Sequence, residues 1–227
     1  MQQPATLARD SRALAALAVP LALTQLAQVA LTTTDTIMMG ALGTEALAAG
    51  GLALVIFNQL RTMGVGLGTA VGNQVAAAAA RAERAGAEED EGGEADENVR
   101  GLVRAAMAVA TIAGLVGAVL MVLIGQAATR LGQDADVAHR AQGMLAALAP
   151  GLLPCLWFQA IRQFTVGMRR PQALLRITIA SVAVNAGLNW AFIHGTWGLP
   201  ELGLTGIGVA TSSVYLLSFL ALYASAR

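Results

Sequence analysis

The residue that most clearly invites chemistry is a lone carboxylate, Asp35, near the end of a long apolar run. It lies in the stretch VALTTTDTIMMGALG, residues 29–43. On a helix, Thr32, Gln28 and Thr24 precede it at three- and four-residue intervals on the same face. An ionisable side chain exposed to lipid is costly, so Asp35 should face a bundle interior or an aqueous cavity. There it could exchange a proton or ligate sodium; the alternative is that it caps the outer end of the first helix.

A second group of polar residues lies in SVAVNAGLNWAFIHG, residues 181–195. Asn185 and Asn189 are four residues apart and therefore share one face of a helix. Their amides could donate hydrogen bonds to Asp35 or offer carbonyl oxygens to a cation. Polar side chains also join helices within membrane bundles, so a purely structural role stays open.

Two arginines interrupt apolar segments: Arg61 in the second and Arg162 in the fourth. Each could extend toward the membrane surface, pair with Asp35, or line a cavity. Buried carboxylates are too few to pair with both, so we expect at least one arginine on a water-filled face. Thr32 and Gln28 are the other candidates for lining such a cleft.

Sequence motifs of enzymes are missing. The chain has no HExxH, no paired aspartates for a diphosphate–magnesium site, no Walker A loop and no GxSxG. Its two histidines, His139 and His194, have no partner at ligand spacing. We therefore predict that the protein is not an enzyme and uses no organic cofactor.

These polar residues are exceptions in an apolar sequence. Of its 227 residues, 56% are hydrophobic and 12% are charged, whereas soluble domains carry about 25% charged residues. Several apolar segments reach the roughly 20 residues that a transmembrane helix requires. The formal net charge is zero and no basic patch is interleaved with aromatics, which argues against nucleic-acid binding. The composition indicates an integral membrane protein.

Apolar runs and loop signals predict six transmembrane helices in a single lobe spanning residues 1–227. They cover about residues 13–38, 47–79, 102–127, 143–166, 173–193 and 204–224. Because these segments are apolar all round rather than alternating, they favour an all-α bundle over a β-barrel. Residues of about 81–98 contain eight of the fourteen carboxylates, which predicts a disordered acidic loop on the cytoplasmic side.

The distribution of arginine predicts the orientation in the membrane. The termini and the even-numbered connections share one side, which carries Arg9, Arg12, Arg81, Arg84, Arg100, Arg104, Arg169, Arg170, Arg176 and Arg227. The opposite side carries only Arg130 and Arg140. Since Lys and Arg are enriched in cytoplasmic loops, both termini are predicted to be cytoplasmic.

Four motifs resemble the N-terminal half of multidrug and toxic compound extrusion (MATE) transporters, in the bacterial multidrug-efflux subfamily. They are VALTTTDTIMMGALGTEALAA, GLGTAVGNQVAAA, LWFQAIRQFTVGMRRP and NAGLNWAFIHGTWGLPELGLTGIGVATSSVY. Together they extend over nearly the whole chain in the order found in the family. The resemblance implies one six-helix lobe of a two-lobe bundle in the bacterial plasma (inner) membrane, where a central cleft opens alternately to either side.

The resemblance also implies a function, antiport that exports cationic amphipathic drugs against an inward flow of sodium or protons. The cation site of the N-terminal lobe matches Asp35, Asn185 and Asn189, and less closely Thr211. Both fifth-helix positions are asparagine here, while some relatives carry an aspartate there, so the coupling ion stays open between sodium held by Asp35 and a proton.

Two departures from the family are visible. The acidic loop replaces a short basic link, and the chain covers one lobe. Either the sequence is a portion of a longer protein, or a second six-helix lobe, a copy or a companion chain, is expected as partner alongside membrane lipid. Two alternatives stay open. A lipid-linked or polysaccharide flippase of the same superfamily would need more basic residues than Arg61 and Arg162, and a non-transporting membrane assembly module would tolerate loss of Asp35.

Overall fold

Six long helices make up the structure, a computed structural model that describes residues 4–86, 93–128, 134–167 and 171–226. The helices are α1 (Pro4–Ala41), α2 (Thr44–Gly86), α3 (Gly93–Ala128), α4 (Ala135–Gly167), α5 (Pro171–His194) and α6 (Gly203–Ala226), with a short 3₁₀ helix at Thr196–Gly198. Every regular element in these ranges is helical. The prediction of an all-α bundle of six helices is confirmed.

Five of the helices are long and apolar enough to cross a membrane, judged by length and composition. The qualifying segments are Thr44–Ala70, Gly101–Ala128, Ala135–Gln163, Leu174–His194 and Gly203–Ser225. Helix α1 does not qualify over the part whose side chains are described, residues 18–41, which includes the polar residues from Thr24 to Thr36. The predicted first span therefore exists as a helix, but one whose second half is too polar to face lipid on all sides.

A tight turn joins α1 to α2. The amide of Leu42 donates to the carbonyl of Met39 at 3.1 Å, and that of Gly43 to Gly40 at 3.1 Å. Gly43 has a φ of 110°, which side chains with a Cβ rarely adopt. The glycine after the last helical residue thus lets the chain reverse and start α2 at once, placing the two helices side by side.

Helix α4 forms the centre of the lobe and packs against α2, α3 and α6. Its side chains Met144, Leu145, Leu148 and Leu152 are fully buried. Small residues bring the neighbouring helices close: a Cβ at Gly114 would lie 2.9 Å from the Cα of Leu153, and one at Gly208 would lie 3.0 Å from a backbone oxygen of α4. Close backbone approach is how helices associate in lipid, where apolar surface alone gives no driving force.

The outward faces of the bundle are apolar. Large exposed hydrophobic side chains on α3 include Ile112, Leu115, Val119 and Leu123. A soluble protein rarely exposes so continuous an apolar surface. The arrangement matches a helix that faces hydrocarbon on one side and α4 on the other.

The acidic connection between α2 and α3 differs from the prediction of disorder over residues 81–98. Helix α2 continues through Gly86 and helix α3 begins at Gly93. Alanine, arginine and glutamate are strong helix formers, so both flanks of this stretch extend the adjacent helices. Residues 87–92 lie outside the described residues.

The contact between α4 and α6 gives a test of this packing. A Cβ at Gly151 would overlap the side chain of Ser212 and lie 2.6 Å from its Cα, and the Ser212 hydroxyl donates to the carbonyl of Ala147 at 2.7 Å. We expect Gly151→Ala to destabilise the lobe by about 1–3 kcal/mol through overpacking. The measurement is the apparent melting temperature of purified protein, followed by size-exclusion chromatography after heating.

The matched control is Gly66→Ala, since a Cβ there meets nothing within 4 Å. This change should leave stability equal or slightly higher, because alanine is favoured over glycine in a helix by about 1 kcal/mol. Equal melting temperatures for the two variants would contradict the close approach of α4 and α6.

Candidate functional site

Asp35 lies buried at the junction of three helices, with three side-chain donors on its carboxylate. The amides of Asn185 and Asn189 each donate from Nδ2 to Asp35 Oδ1 at 2.6 Å. The hydroxyl of Thr211 donates to Asp35 Oδ2 at 3.3 Å. These contacts join α1 to α5 and to α6. The structure thus brings together the four residues proposed from the sequence as a cation site.

Local sequence explains how these side chains converge. Asn185 and Asn189 are one helical turn apart on the face of α5 that packs against α1. Asp35 is 1% exposed and both asparagines are fully buried. Helix α1 continues beyond Asp35 to Ala41, so the carboxylate stands in the helix interior and does not cap its end.

Two oxygens in this cluster have no partner. Oδ1 of Asn185 and Oδ1 of Asn189 are buried and accept no hydrogen bond from the described part of the chain. Buried polar atoms are almost always hydrogen-bonded or bound to an ion or water. If each amide rotated so that its oxygen faced Asp35, the two carbonyl oxygens, the carboxylate and the Thr211 hydroxyl would make up an oxygen-only set of the kind that a hard cation prefers.

The charge of the cluster restricts which ion it could hold. No group of three or more His, Cys, Asp or Glu capable of holding a metal occurs among the described residues. The cluster offers one negative charge, from Asp35, and otherwise neutral oxygens. One monovalent cation, a proton or sodium, would balance it; a divalent ion would leave excess positive charge in a low-dielectric site.

The polar side chains of α1 that were predicted to share one face point in two different directions. Thr24 is buried and its hydroxyl donates to the carbonyl of Pro20 at 2.7 Å. Thr32 is exposed and its hydroxyl donates to the carbonyl of Gln28 at 3.3 Å. Asp35 therefore faces α5 and α6, whereas Thr32 and Gln28 face a cavity on a neighbouring side of the helix.

This cavity has a volume of about 540 Å³ and is lined by α1, α2, α4, α5 and α6. Its lining residues combine polar and apolar side chains: Gln25, Gln28, Val29, Leu31, Thr32, Thr33, Thr36, Ile37, Asn58, Arg61, Phe158, Thr178, Ser181, Val214, Tyr215 and Ser218. Small-molecule sites in proteins commonly measure about 300–1,000 Å³ and mix apolar walls with a few polar groups. The cavity is large enough for an organic ligand.

The two arginines of the apolar segments occupy different surroundings. Arg61 lines the cavity. Arg162 donates hydrogen bonds to Gln25 Oε1 at 2.7 Å, to Gln28 Oε1 at 3.2 Å and to Gln159 Oε1 at 3.3 Å. Neither forms an ion pair with a carboxylate of the described residues. The candidate cleft residues Thr32, Gln28 and Arg61 therefore line one cavity, and Arg162 is attached to its wall through Gln28.

Several lining residues were not identified from the sequence. Asn58 precedes Arg61 by three residues on α2, and the hydroxyls of Ser181 and Ser218 are 2.6 Å apart between α5 and α6. Tyr215 stacks on Phe57 with ring centroids 5.8 Å apart. Pairs of polar residues at helical spacing inside apolar segments could have indicated cavity-lining positions. They do not show which helices line the cavity together.

Helices α1 and α6 connect the buried cluster to the cavity. Thr36 follows Asp35 directly and lines the cavity. Tyr215 lies one turn after Thr211 on α6, lines the cavity, and is close enough to Asp35 for electrostatic interaction. The Asp35 cluster and the cavity wall therefore share neighbouring residues on α1 and α6.

The fold is that of a multi-pass, all-α membrane protein. The MatE family model matches residues 20–191. The chain belongs to the MatE family.

Bacterial relatives over most of the chain agree with this assignment. The probable multidrug resistance protein NorM of Bradyrhizobium diazoefficiens is 40% identical over 213 residues, covering 92% of this chain and 42% of the relative. The protein of the same name from Pseudomonas aeruginosa is 39% identical over 208 residues, covering 90% of this chain and 40% of the relative. This chain thus spans less than half the length of these curated relatives.

Solved transporter structures share the fold. The MATE transporter NorM-NG, solved in complex with a monobody, is 26% identical with a TM-score of 0.66, covering 95% of this chain and 45% of that one. An outward-facing multidrug resistance MATE family transporter of the MOP superfamily is 18% identical with a TM-score of 0.70, covering 92% and 43%. The six helices correspond to about half of each transporter.

The Asp35 cluster predicts energetic coupling between its members. Asn189→Ala should destabilise the protein by about 1–3 kcal/mol, because it leaves a buried charge with one donor fewer. In an Asp35→Ala background the same change should cost less, giving a coupling energy of about 0.5–3 kcal/mol. Unfolding by titration with a denaturing detergent measures all four free energies.

Asn58→Ala provides the comparison, since Asn58 lines the cavity and has no hydrogen bond to Asp35 among the described contacts. Its effect should add to that of Asp35→Ala. If the free-energy changes of Asn189→Ala and Asp35→Ala were also additive, that result would contradict the hydrogen bond from Asn189 to Asp35.

Proposed function

We propose that this chain supplies the N-terminal lobe of a cation-coupled multidrug efflux transporter, in which Asp35 carries the coupling ion. The observation that supports this most directly is the buried carboxylate with three donors and two unpartnered amide oxygens beside it. Unpartnered buried oxygens are costly, and a bound cation would give them a partner. Sodium would be held by the carboxylate with the Asn185 and Asn189 amide oxygens and the Thr211 hydroxyl; a proton would be held by the carboxylate alone.

The coupling acts through the position of α1. The hydrogen bonds to ionised Asp35 join α1 to α5 and α6, and neutralising the carboxylate weakens them, since hydrogen bonds to a charged acceptor are stronger than those to a neutral one. Helix α1 also supplies much of the cavity wall, from Gln25 to Ile37. Ion binding would shift the lobe between two conformations by its differential affinity for them, and would thereby change the shape of the cavity.

Family membership and the distribution of arginine support proposals about the substrates, the membrane location and the partner lobe. The substrates are amphipathic drugs, in keeping with the names of the bacterial relatives, and the family resemblance suggests cationic ones. The protein resides in the bacterial inner membrane with both termini cytoplasmic, as the arginine distribution suggests. A second six-helix lobe completes the cleft, and a parallel arrangement of two lobes is compatible with repeats related by an axis along the membrane normal.

Transport in liposomes tests the role of Asp35. The reconstituted chain should take up a fluorescent cationic amphipathic dye when a sodium or proton gradient is imposed, and Asp35→Asn should remove this uptake while the protein still inserts. Glu45→Gln is the matched control, because Glu45 is an exposed carboxylate paired with Arg140 at 3.5 Å. Gradient-driven uptake that persists in Asp35→Asn would overturn the assignment. No uptake by folded wild-type protein would contradict transport by one lobe alone.

A binding assay tests the ion site without requiring transport. If sodium is the ion, sodium chloride should raise the apparent melting temperature above that in choline chloride, and Asp35→Asn should remove the shift. Acidic buffer should weaken the effect, because a protonated carboxylate no longer attracts the ion.

If the coupling ion is a proton, sodium chloride should not change the apparent melting temperature. The dependence of the melting temperature on pH should then be smaller in Asp35→Asn than in the wild-type protein. Thermal stability that depends on neither sodium nor pH through Asp35 would contradict the proposal and favour an assembly module.

A further inference from the structure

We infer that Arg162 is a positioning residue: it attaches the N-terminal part of α1 to α4 through Gln25 and Gln28, and thereby sets the point about which α1 moves. The movement of α1 at Asp35 rests on the proposed function. The attachment at Arg162 does not, since it follows from hydrogen bonds and packing, and the two are tested by separate distances.

The guanidinium of Arg162 joins two helices. Its Nη2 donates to Gln25 Oε1 at 2.7 Å, and its Nη1 donates to Gln28 Oε1 at 3.2 Å. Gln25 and Gln28 are three residues apart and therefore neighbours on one face of α1. Nη1 also donates to Gln159 Oε1 on α4 at 3.3 Å, which helps to orient the guanidinium. Because the planar guanidinium holds its donors in a rigid fork, it can bind both glutamines of α1 at once.

Packing between α1 and α4 adds little to this attachment. In the part of the chain that the structure describes, α1 packs mainly on α5 and makes fewer contacts with α2 and α6, whereas α4 packs on α2, α3 and α6. The long side chains of Arg162, Gln25 and Gln28 therefore span a gap between two helices that do not pack closely. Hydrogen bonds from a charged donor are stronger than neutral ones, so the bridge depends on the guanidinium.

The surroundings of Arg162 favour keeping the bridge intact. The side chain is half-buried in α4, and Arg61 on α2 is close enough to act on it electrostatically. The two positive charges repel each other. If the glutamines of α1 moved away, Arg162 would lose two acceptors in a partly desolvated place next to a like charge, which costs free energy.

Helix α1 is consequently held at two levels. Asp35 follows Gln25 by ten residues, which is about 15 Å along a helix. At the level of Asp35 the attachment is to α5 and α6 and depends on the charge of the carboxylate. At the level of Gln25 the attachment is to α4, and its acceptors are neutral amides. Neutralising Asp35 therefore weakens the first attachment alone, and the C-terminal part of α1 should move about an N-terminal part that stays on α4.

Distances between spin labels, measured by pulsed electron paramagnetic resonance on the full chain in nanodiscs, test both levels. Ile37→Cys with Leu123→Cys reports on the C-terminal part of α1, and Leu26→Cys with Ile112→Cys reports on the N-terminal part. All four side chains are exposed and apolar. Helix α3 is the reference because it packs on the α4 core. The native Cys155 is fully buried and should take up no label.

The two distances should respond to different substitutions. Asp35→Asn should shift the C-terminal distance by about 2 Å or more, the scale of helix shifts in switching proteins, and leave the N-terminal distance unchanged. Arg162→Gln should shift or broaden the N-terminal distance, and Arg162→Lys should restore part of it, because the charge stays but the fork is lost. The matched control is Gln163→Ala, which removes a hydrogen bond to Thr69 on α2 at 3.3 Å and should alter neither distance.

Two changes on α1 keep the test decisive if Arg162→Gln fails to fold. Gln25→Ala combined with Gln28→Ala removes the same acceptors and should broaden the N-terminal distance in the same way. Gln25→Glu places a carboxylate opposite Arg162 at an exposed position and should narrow the N-terminal distance distribution. A helix that is merely packed in place would not respond to that added charge, and Arg162→Gln should cancel the narrowing.

The outcomes separate this inference from the proposed function. An N-terminal distance that does not respond to Arg162→Gln, or to the paired glutamine changes, would overturn the attachment. Equal movement of both distances in Asp35→Asn would overturn the assignment of the pivot to Arg162. A C-terminal distance that stays fixed in Asp35→Asn would instead contradict the movement of α1 in the proposed function, and a response of the N-terminal distance to Arg162→Gln would still support the attachment.

Discussion

The structure depends on keeping one negative charge away from lipid. Asp35 can be buried because Asn185, Asn189 and Thr211 present donors to it from α5 and α6. A buried carboxylate without such partners would cost several kcal/mol. That requirement fixes which face of α1 turns inward, and it fixes the register of α1 against two other helices. Packing surface alone would leave the rotation of a helix with so many threonines poorly defined.

Two polar regions of different character result from this arrangement. One is a closed anionic cluster behind α1, and the other is an open cavity whose lining carries a cation, Arg61. Helix α1 separates them, with Asp35 on one side and Thr32 and Thr36 on a neighbouring side. Under the proposed function, ion and substrate would occupy separate spaces, and their competition would act through the position of α1 without shared ligands.

The features that depend on local periodicity could be predicted from the sequence. Spacing alone placed Asn185 and Asn189 on one face, and the cost of a charge in lipid placed Asp35 inside. Thr211 came only from the family resemblance, because nothing in the sequence determines how α6 is rotated after its preceding loop. The cavity was not predictable as a whole: Asn58 and Tyr215 line it because α2 and α6 stand apart near α1, which is a property of helix positions. The loop predicted to be disordered over residues 81–98 is flanked by helix as far as Gly86 and again from Gly93.

The packing also indicates which element is able to move. Glycines let α3 and α6 approach the backbone of α4 closely, as at Gly114 and Gly151, and interiors packed in this way do not deform gradually. Helix α1 has its main contact with α5 and few with α2 and α6. Its link to α6 includes a hydrogen bond that ends on Asp35. Among the described residues, the helix with the fewest packing contacts is therefore the one whose polar attachment depends on the charge of a single carboxylate. Neutralising that carboxylate would loosen α1 while leaving the α4 core in place, and this is the arrangement a switch requires.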